Sequence, residues 1–158
     1  MKPLEIKKYP DAILRKIAKP VAEITDKEAE LFDVMVYTMH HFYGVGLAAP
    51  QIGVSKSLIV VDIGDGPLKL ANPEIVKTKE TGKMKEGCLS VPGVDIEIER
   101  PYEIIVKAWN EFGVPCELKA KGLLARVIQH EMDHLNGKII IDYLRFLDRI
   151  KLGLRFKK

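Results

Sequence analysis

"QHEMDHLNG", Gln129–Gly137, is the stretch on which the reading of this chain turns. His130 and His134 are four residues apart, so on a helix of 3.6 residues per turn both project from one face. Two imidazoles so placed can grip one metal ion. Glu131 is one step round and can reach a water held by that ion, where a general base is wanted. A polar helix face can carry the same string without metal. The preceding run "GLLARVI", residues 122–128, is strongly apolar and points to a buried helix. Burying His130, Glu131, Asp133 and His134 there is costly unless each finds a partner. Gly137 is a natural left-handed stop for that helix.

Working outward, Asp11 to Ala18 reads as a short helix after Pro10. Asp26 can cap a longer one with apolar positions at Ala29, Leu31, Phe32, Met35, Val36 and Met39. Gly44, Gly46 and Pro50 should end it. "SLIVVDI", Leu68 to Ala71, Glu74 to Lys79 and "VDIEIER" read as separate strands. "YEIIVKAWN" and "VPCELKA" flank a turn at Glu111 to Gly113, as in a hairpin. Strands outnumber helices without alternating with them. The expected class is α+β, with antiparallel or mixed β-sheets packed around a central C-terminal helix that carries the H-E-x-x-H motif. The length of 158 residues fits one domain, taken here as a single catalytic domain over residues 1–158.

A net charge of +3 gives no case for nucleic acid as the main partner, and no apolar run reaches the length of a membrane span. The opening residues lack the pattern of a signal peptide. With two cysteines, Cys88 and Cys116, expected to stay reduced, a cytoplasmic location is expected.

Two histidines are too few for a catalytic metal, which usually has three protein ligands and an open position. Downstream, Asp142 and Asp148 are unpersuasive. Upstream, Cys88 in "KEGCLSVPG" sits in what reads as an irregular segment, and a thiolate with two imidazoles suits zinc or ferrous iron. His40 and His41 compete for the role but are expected on the surface. Cys116 reads as a small buried hydrophobe.

Three motifs taken together, "GVGLAAPQ" from Gly44, "EGCLS" from Glu86 and "QHEMDHLNG", resemble the peptide deformylases, and the likeness extends to "LRKIAKPV" near the start. The resemblance implies a metal-dependent hydrolase that removes the formyl group from the N-terminal formylmethionine of nascent polypeptides. It implies Cys88, His130 and His134 as metal ligands and Glu131 as general acid and base. Gln51, through its side-chain amide, and Leu89, through its backbone N–H, would be oxyanion donors. The metal would be one divalent ion, iron(II) first, with zinc, nickel or cobalt as alternatives. Family position puts Val45, Met84, Leu123 and Val127 in the wall of a methionine pocket, although each could be a plain core residue. Gly44, Gly46 and Gly87 would let a peptide backbone come close, pairing like an added strand.

Glu86 and Arg100 are expected to form an ion pair behind Cys88, and Asp133 to orient the helix or a ligand. Tyr43 and Asp95 depart from the family pattern, and Asp95 leaves open the preference for residues after methionine. The basic tail "RFLDRIKLGLRFKK" would offer a transient ribosome contact, weakened by Gly153 interrupting its helix pattern. Two rivals share the H-E-x-x-H string: a peptidase of internal bonds, which leaves Cys88 and Gln51 unexplained, and a purely structural metal site.

Overall fold

A computed structural model describes the backbone of residues 1–156, with side chains described to residue 152. The fold is α+β. Five strands, β1 (Gly46–Ala48), β2 (Leu58–Val61), β3 (Leu68–Cys88), β4 (Val91–Trp109) and β5 (Pro115–Lys121), form one antiparallel sheet whose spatial order is the chain order. Three helices accompany it: α1 (Asp26–His41), α2 (Leu123–Leu135) and α3 (Phe146–Phe156).

Burial of β2 on both faces explains its unbroken apolar run. Leu58 and Val60 join Phe32, Met35 and Met39 of α1 in one core cluster. Ile59 and Val61 join Ala125, Val127 and Ile128 of α2 in another. The sheet therefore lies between the two helices at β2. A third cluster ties Leu14 and Ile139–Ile141 to Val91, Ile96 and Ile98 at the start of β4.

α1 is capped by Thr25 rather than Asp26. The Thr25 side chain accepts from the Lys27 N–H, and the Glu28 carboxylate accepts from the Thr25 N–H at 3.1 Å. The reciprocal pair requires an acid three residues after the cap, and Glu28 supplies it. The first short helix is a 3₁₀ turn, Ala12–Arg15, shorter than the expected Asp11 to Ala18.

The largest departure concerns the strands. "SLIVVDI" supplies the separate strand β2, but Leu68 to Ala71 and Glu74 to Lys79 merge into β3, and "VDIEIER" and "YEIIVKAWN" into β4. β3 changes register between Ala71 and Glu74, between Ile75 and Lys77, and between Glu86 and Cys88. Such bulges bend a strand without ending it. β4 runs through Pro101, whose carbonyl accepts from Gln129 Nε2 of α2 at 2.9 Å. Cys88 thus lies at the end of a strand, not in an irregular segment. The expected hairpin at Glu111 to Gly113 forms between β4 and β5.

Gly137 follows α2 at φ +69°, and a Cβ there would come within 2.5 Å of the Arg15 carbonyl oxygen. The Ala18 N–H also donates to Leu135 O at 2.8 Å, so the N-terminal segment clasps the end of α2. α3 continues through Gly153 instead of breaking there. Lys157 and Lys158 of the basic tail lie outside the described residues. No described helix is long and apolar enough to cross a membrane.

Candidate active site

α2 carries His130, Glu131 and His134, all buried. The β3–β4 turn brings Cys88 to them. Its Sγ lies 3.3 Å from His134 Nε2, and one donor atom from each of Cys88, His130 and His134 falls within 4.8 Å of the others. A tetrahedral ion with the usual Zn–S and Zn–N bond lengths would set such donors about 3.3–3.6 Å apart. The donor set fits one soft or borderline divalent ion. His40 stands elsewhere, exposed and 2.9 Å from Asp62, and His41 is exposed too.

Behind the ligands lies a buried ionic network. His130 Nδ1 lies 2.9 Å from Glu86 Oε1. With Nδ1 donating there, Nε2 keeps its lone pair for a metal. Arg100 grips the same carboxylate through Nε at 2.7 Å and a second nitrogen at 2.9 Å. Arg126 donates to it at 2.6 Å and to the carbonyls of Ile98 and Gly82 at 2.9 and 2.8 Å. Arg100 also reaches Asp133 at 2.9 Å, and Tyr143 donates to Asp133 at 2.6 Å. The expected Glu86–Arg100 pair is present. The parts played by Arg126 and Tyr143 were not foreseen. A signal for Arg126 existed, since an arginine amid "LLARVI" with no acid beside it on its own helix needs a partner elsewhere.

Burial works to raise the pKa of Glu86, but hydrogen bonds from His130 and Arg100 hold it at about 2. Burial works to lower that of His130, and hydrogen bonds with Cys88 and Glu86 outweigh it, raising the value to about 10. His134 is lowered well below its ordinary value by burial, then by the charge of His130. Burial pushes Glu131 up to about 7, against the pull of His130 and Arg100. A carboxyl near neutrality can both take and return a proton. Glu131 Oε2 and His134 Nδ1 are buried without a hydrogen-bond partner. An unpaired carboxylate oxygen in such a place is aimed at something the protein chain does not supply.

Gln51 is buried and fixed. Its Oε1 accepts from the Ala48 N–H at 2.8 Å, which turns Nε2 toward Ser90 Oγ at 3.2 Å and Cys88 Sγ at 3.7 Å. The N-terminal segment braces both sides of this arrangement. The Lys7 N–H donates to Gln51 O at 2.7 Å, and the Tyr9 N–H to Ser90 O at 2.9 Å.

Gln51, Glu86, Cys88, Arg126, His130 and Glu131 border a cleft of about 370 Å³. Gln51, Cys88, Leu89, His130 and Glu131 line its floor, and Val45, Gly46, Met84, Gly87, Leu123 and Val127 are among its walls. Val45, Met84 and Leu123 are 46, 44 and 45% exposed, so apolar surface is left open to a ligand. A Cβ on Gly46 would strike the Glu131 carboxylate and come within 2.7 Å of Val127, so only glycine lets β1 approach α2 this closely. Among the described residues β1 pairs with β2 alone, and its other edge carries no strand.

A buried glutamate raised to about 7 beside a three-donor cluster, in an apolar cleft, suits a hydrolase. A sequence profile of the family described as polypeptide deformylase matches residues 3–149. The chain belongs to that family and is an enzyme. It is 48% identical to the peptide deformylase of Hydrogenovibrio crunogenus, over 100% of this chain and 95% of the relative. It is 52% identical to that of Halothermothrix orenii, over 88% of this chain and 92% of the relative. The crystal structure of the Ehrlichia chaffeensis peptide deformylase in complex with actinonin superposes with a TM-score of 0.96 at 39% identity, covering 99% of this chain and 97% of that one. That of Legionella pneumophila gives 0.93 at 43%, covering 99 and 96%.

Proposed function

We propose that this chain hydrolyses the N-formyl amide of formylmethionyl nascent peptides in the cytoplasm, releasing formate, with residues 1–158 acting as one catalytic domain and α2 as its central helix. The observation that carries this reading is the convergence of Cys88, His130 and His134 beside a glutamate raised to about 7. Those three residues would hold one divalent ion, iron(II) first, with zinc, nickel or cobalt as alternatives. Such an ion supplies Lewis acidity and brings the pKa of a water to about 7.

The chain's own residues do the rest. Methionine enters between Val45, Met84, Leu123 and Val127, and its backbone lies along the open edge of β1 at Gly46, facing Gly87. Glu131 takes a proton from the attacking water as it adds to the formyl carbon. Negative charge grows on the formyl oxygen, where Gln51 Nε2 and the Leu89 backbone N–H donate; one such donor is worth about 3 kcal/mol. Glu131 then returns the proton to the departing amine, leaving formate and a free N-terminus. The fixed amide orientation of Gln51 supports its role. A transient ribosome contact through the basic tail rests on the charge of that tail.

Formate release from formyl-Met-Ala-Ser by anaerobically prepared protein tests the reading, with an acetylated peptide as control. Cleavage of internal bonds without formate release would overturn it in favour of a peptidase. Actinonin should compete with the formyl peptide.

A further inference from the structure

The solvent face of the β3–β4 hairpin follows a charge rule. Lys83 stands opposite Glu99 and Lys85 opposite Glu97, each acid facing a lysine across the ladder. The rule fails one step nearer the site. The ladder shifts register after Glu86 and Ile96, and Asp95 Oδ1 lies 3.0 Å from where a Cβ of Gly87 would be. Asp95 is exposed, and no described residue forms an ion pair or hydrogen bond with it. Gly87 both lines the cleft and adjoins Cys88. A carboxylate therefore leans over a residue of the cleft lining, into the space a side chain at Gly87 would take, with no cation beside it among the described residues.

We propose that Asp95 reads a positive charge on the second or third residue of the formylated peptide, so that this enzyme favours substrates with lysine or arginine there. The inference rests on the deformylase reading of the cleft. Consecutive Cα atoms are about 3.8 Å apart and neighbouring strands about 4.8 Å. Asp95 is one residue and one strand away from the sulfur that marks the reacting end. An extended peptide advances about 3.3–3.6 Å per residue. With its formyl group at that end, the side chains after methionine come within reach of the carboxylate. A lysine or arginine there supplies the opposite charge that Asp95 lacks on its own strands. Lys85 also borders the cleft, but Glu97 faces it, whereas nothing of opposite charge faces Asp95.

The test measures kcat/KM on formyl-Met-Lys-Ala and formyl-Met-Ala-Lys, each against its glutamate counterpart, with uncharged formyl-Met-Ala-Ala as reference. At one of the two positions the lysine peptide should be preferred about fivefold at low salt, the scale of one exposed ion pair. The preference should shrink in 0.5 M salt. It should vanish in Asp95→Asn and reverse in Asp95→Lys. Each ratio is internal to one variant, so a general loss of activity cancels. An unchanged lysine-to-glutamate ratio in Asp95→Asn, or no preference in the unaltered enzyme, overturns the proposal. Failure on formyl-Met-Ala-Ala itself would instead overturn the deformylase reading.

Discussion

Glu131, the acid and base of the proposed reaction, is placed by what surrounds it. Burial lifts it to about 7 and leaves one oxygen without a partner. Replacing it with glutamine keeps its size and removes its proton traffic. Glu131→Gln should therefore retain the metal, measured by metal analysis, while formate release falls about 10²–10⁴-fold. Cys88→Ser should act the other way, lowering metal content after dialysis, because a serine hydroxyl is a poorer ligand than a thiolate. Gly46 offers a sharper geometric test. A methyl group there meets the Glu131 carboxylate and Val127. Gly46→Ala should cost about 1–3 kcal/mol in urea unfolding through overpacking. It should also slow formate release, since the carboxylate must move.

Among the elements, α1 shows how far local chemistry governs a helix. Its capping box joins Thr25 to Glu28, and Lys56 lies 2.5 Å from the same carboxylate. Hydrogen bonds from Lys56 and then Thr25 hold Glu28 at about 2, against an ordinary 4.5. A depressed carboxylate stabilises the fold above its unfolded value and stops doing so as pH falls toward its folded value. This contribution should be complete above pH 4.5 and fade between 4.5 and 2. Thr25→Ala should cost about 1 kcal/mol near neutrality, and Glu28→Gln should flatten the acid side of the unfolding curve. Helix positions were readable in the sequence because their signals are local: Gly137 stops α2, α1 ends just before Gly44 with Tyr43 taking the left-handed turn at φ +56°, and the four-residue spacing fixes the histidine face. Long strands were not, because a bulge such as that between Ala71 and Glu74 imitates a strand end, and only the partner strand shows that pairing resumes. The site was legible at Cys88, His130 and His134 through motifs. The Glu86 network was legible only at Arg100, since Arg126 and Tyr143 meet it through contacts that no spacing rule encodes. Removing one partner from that buried network, as in Arg126→Ala, should cost about 3–5 kcal/mol, measured by urea unfolding.

At the scale of the molecule, the site lies on the seam between the sheet and α2, a seam that the cluster of Ile59, Val61, Ala125, Val127 and Ile128 also holds. Among the described residues the sheet pairs only sequence neighbours, so its ladder is assembled from local hairpins. α2 lies across that sheet, with Cys88 on one side of the junction and the histidines on the other. An ion bound there stabilises the folded chain by about 4 kcal/mol at a thousandfold excess over its Kd. Treatment with a chelator should lower Tm, and iron(II), nickel or zinc should restore it. The long β3–β4 ladder does not depend on that junction. Deuterium uptake after chelation should therefore rise along the final turn of α2 and the Cys88–Val91 bend, while amides in the middle of β3 and β4 exchange as slowly as before. Loosening would then be confined to the seam at the cleft, while the apolar cluster shared by α2 and the sheet stays closed.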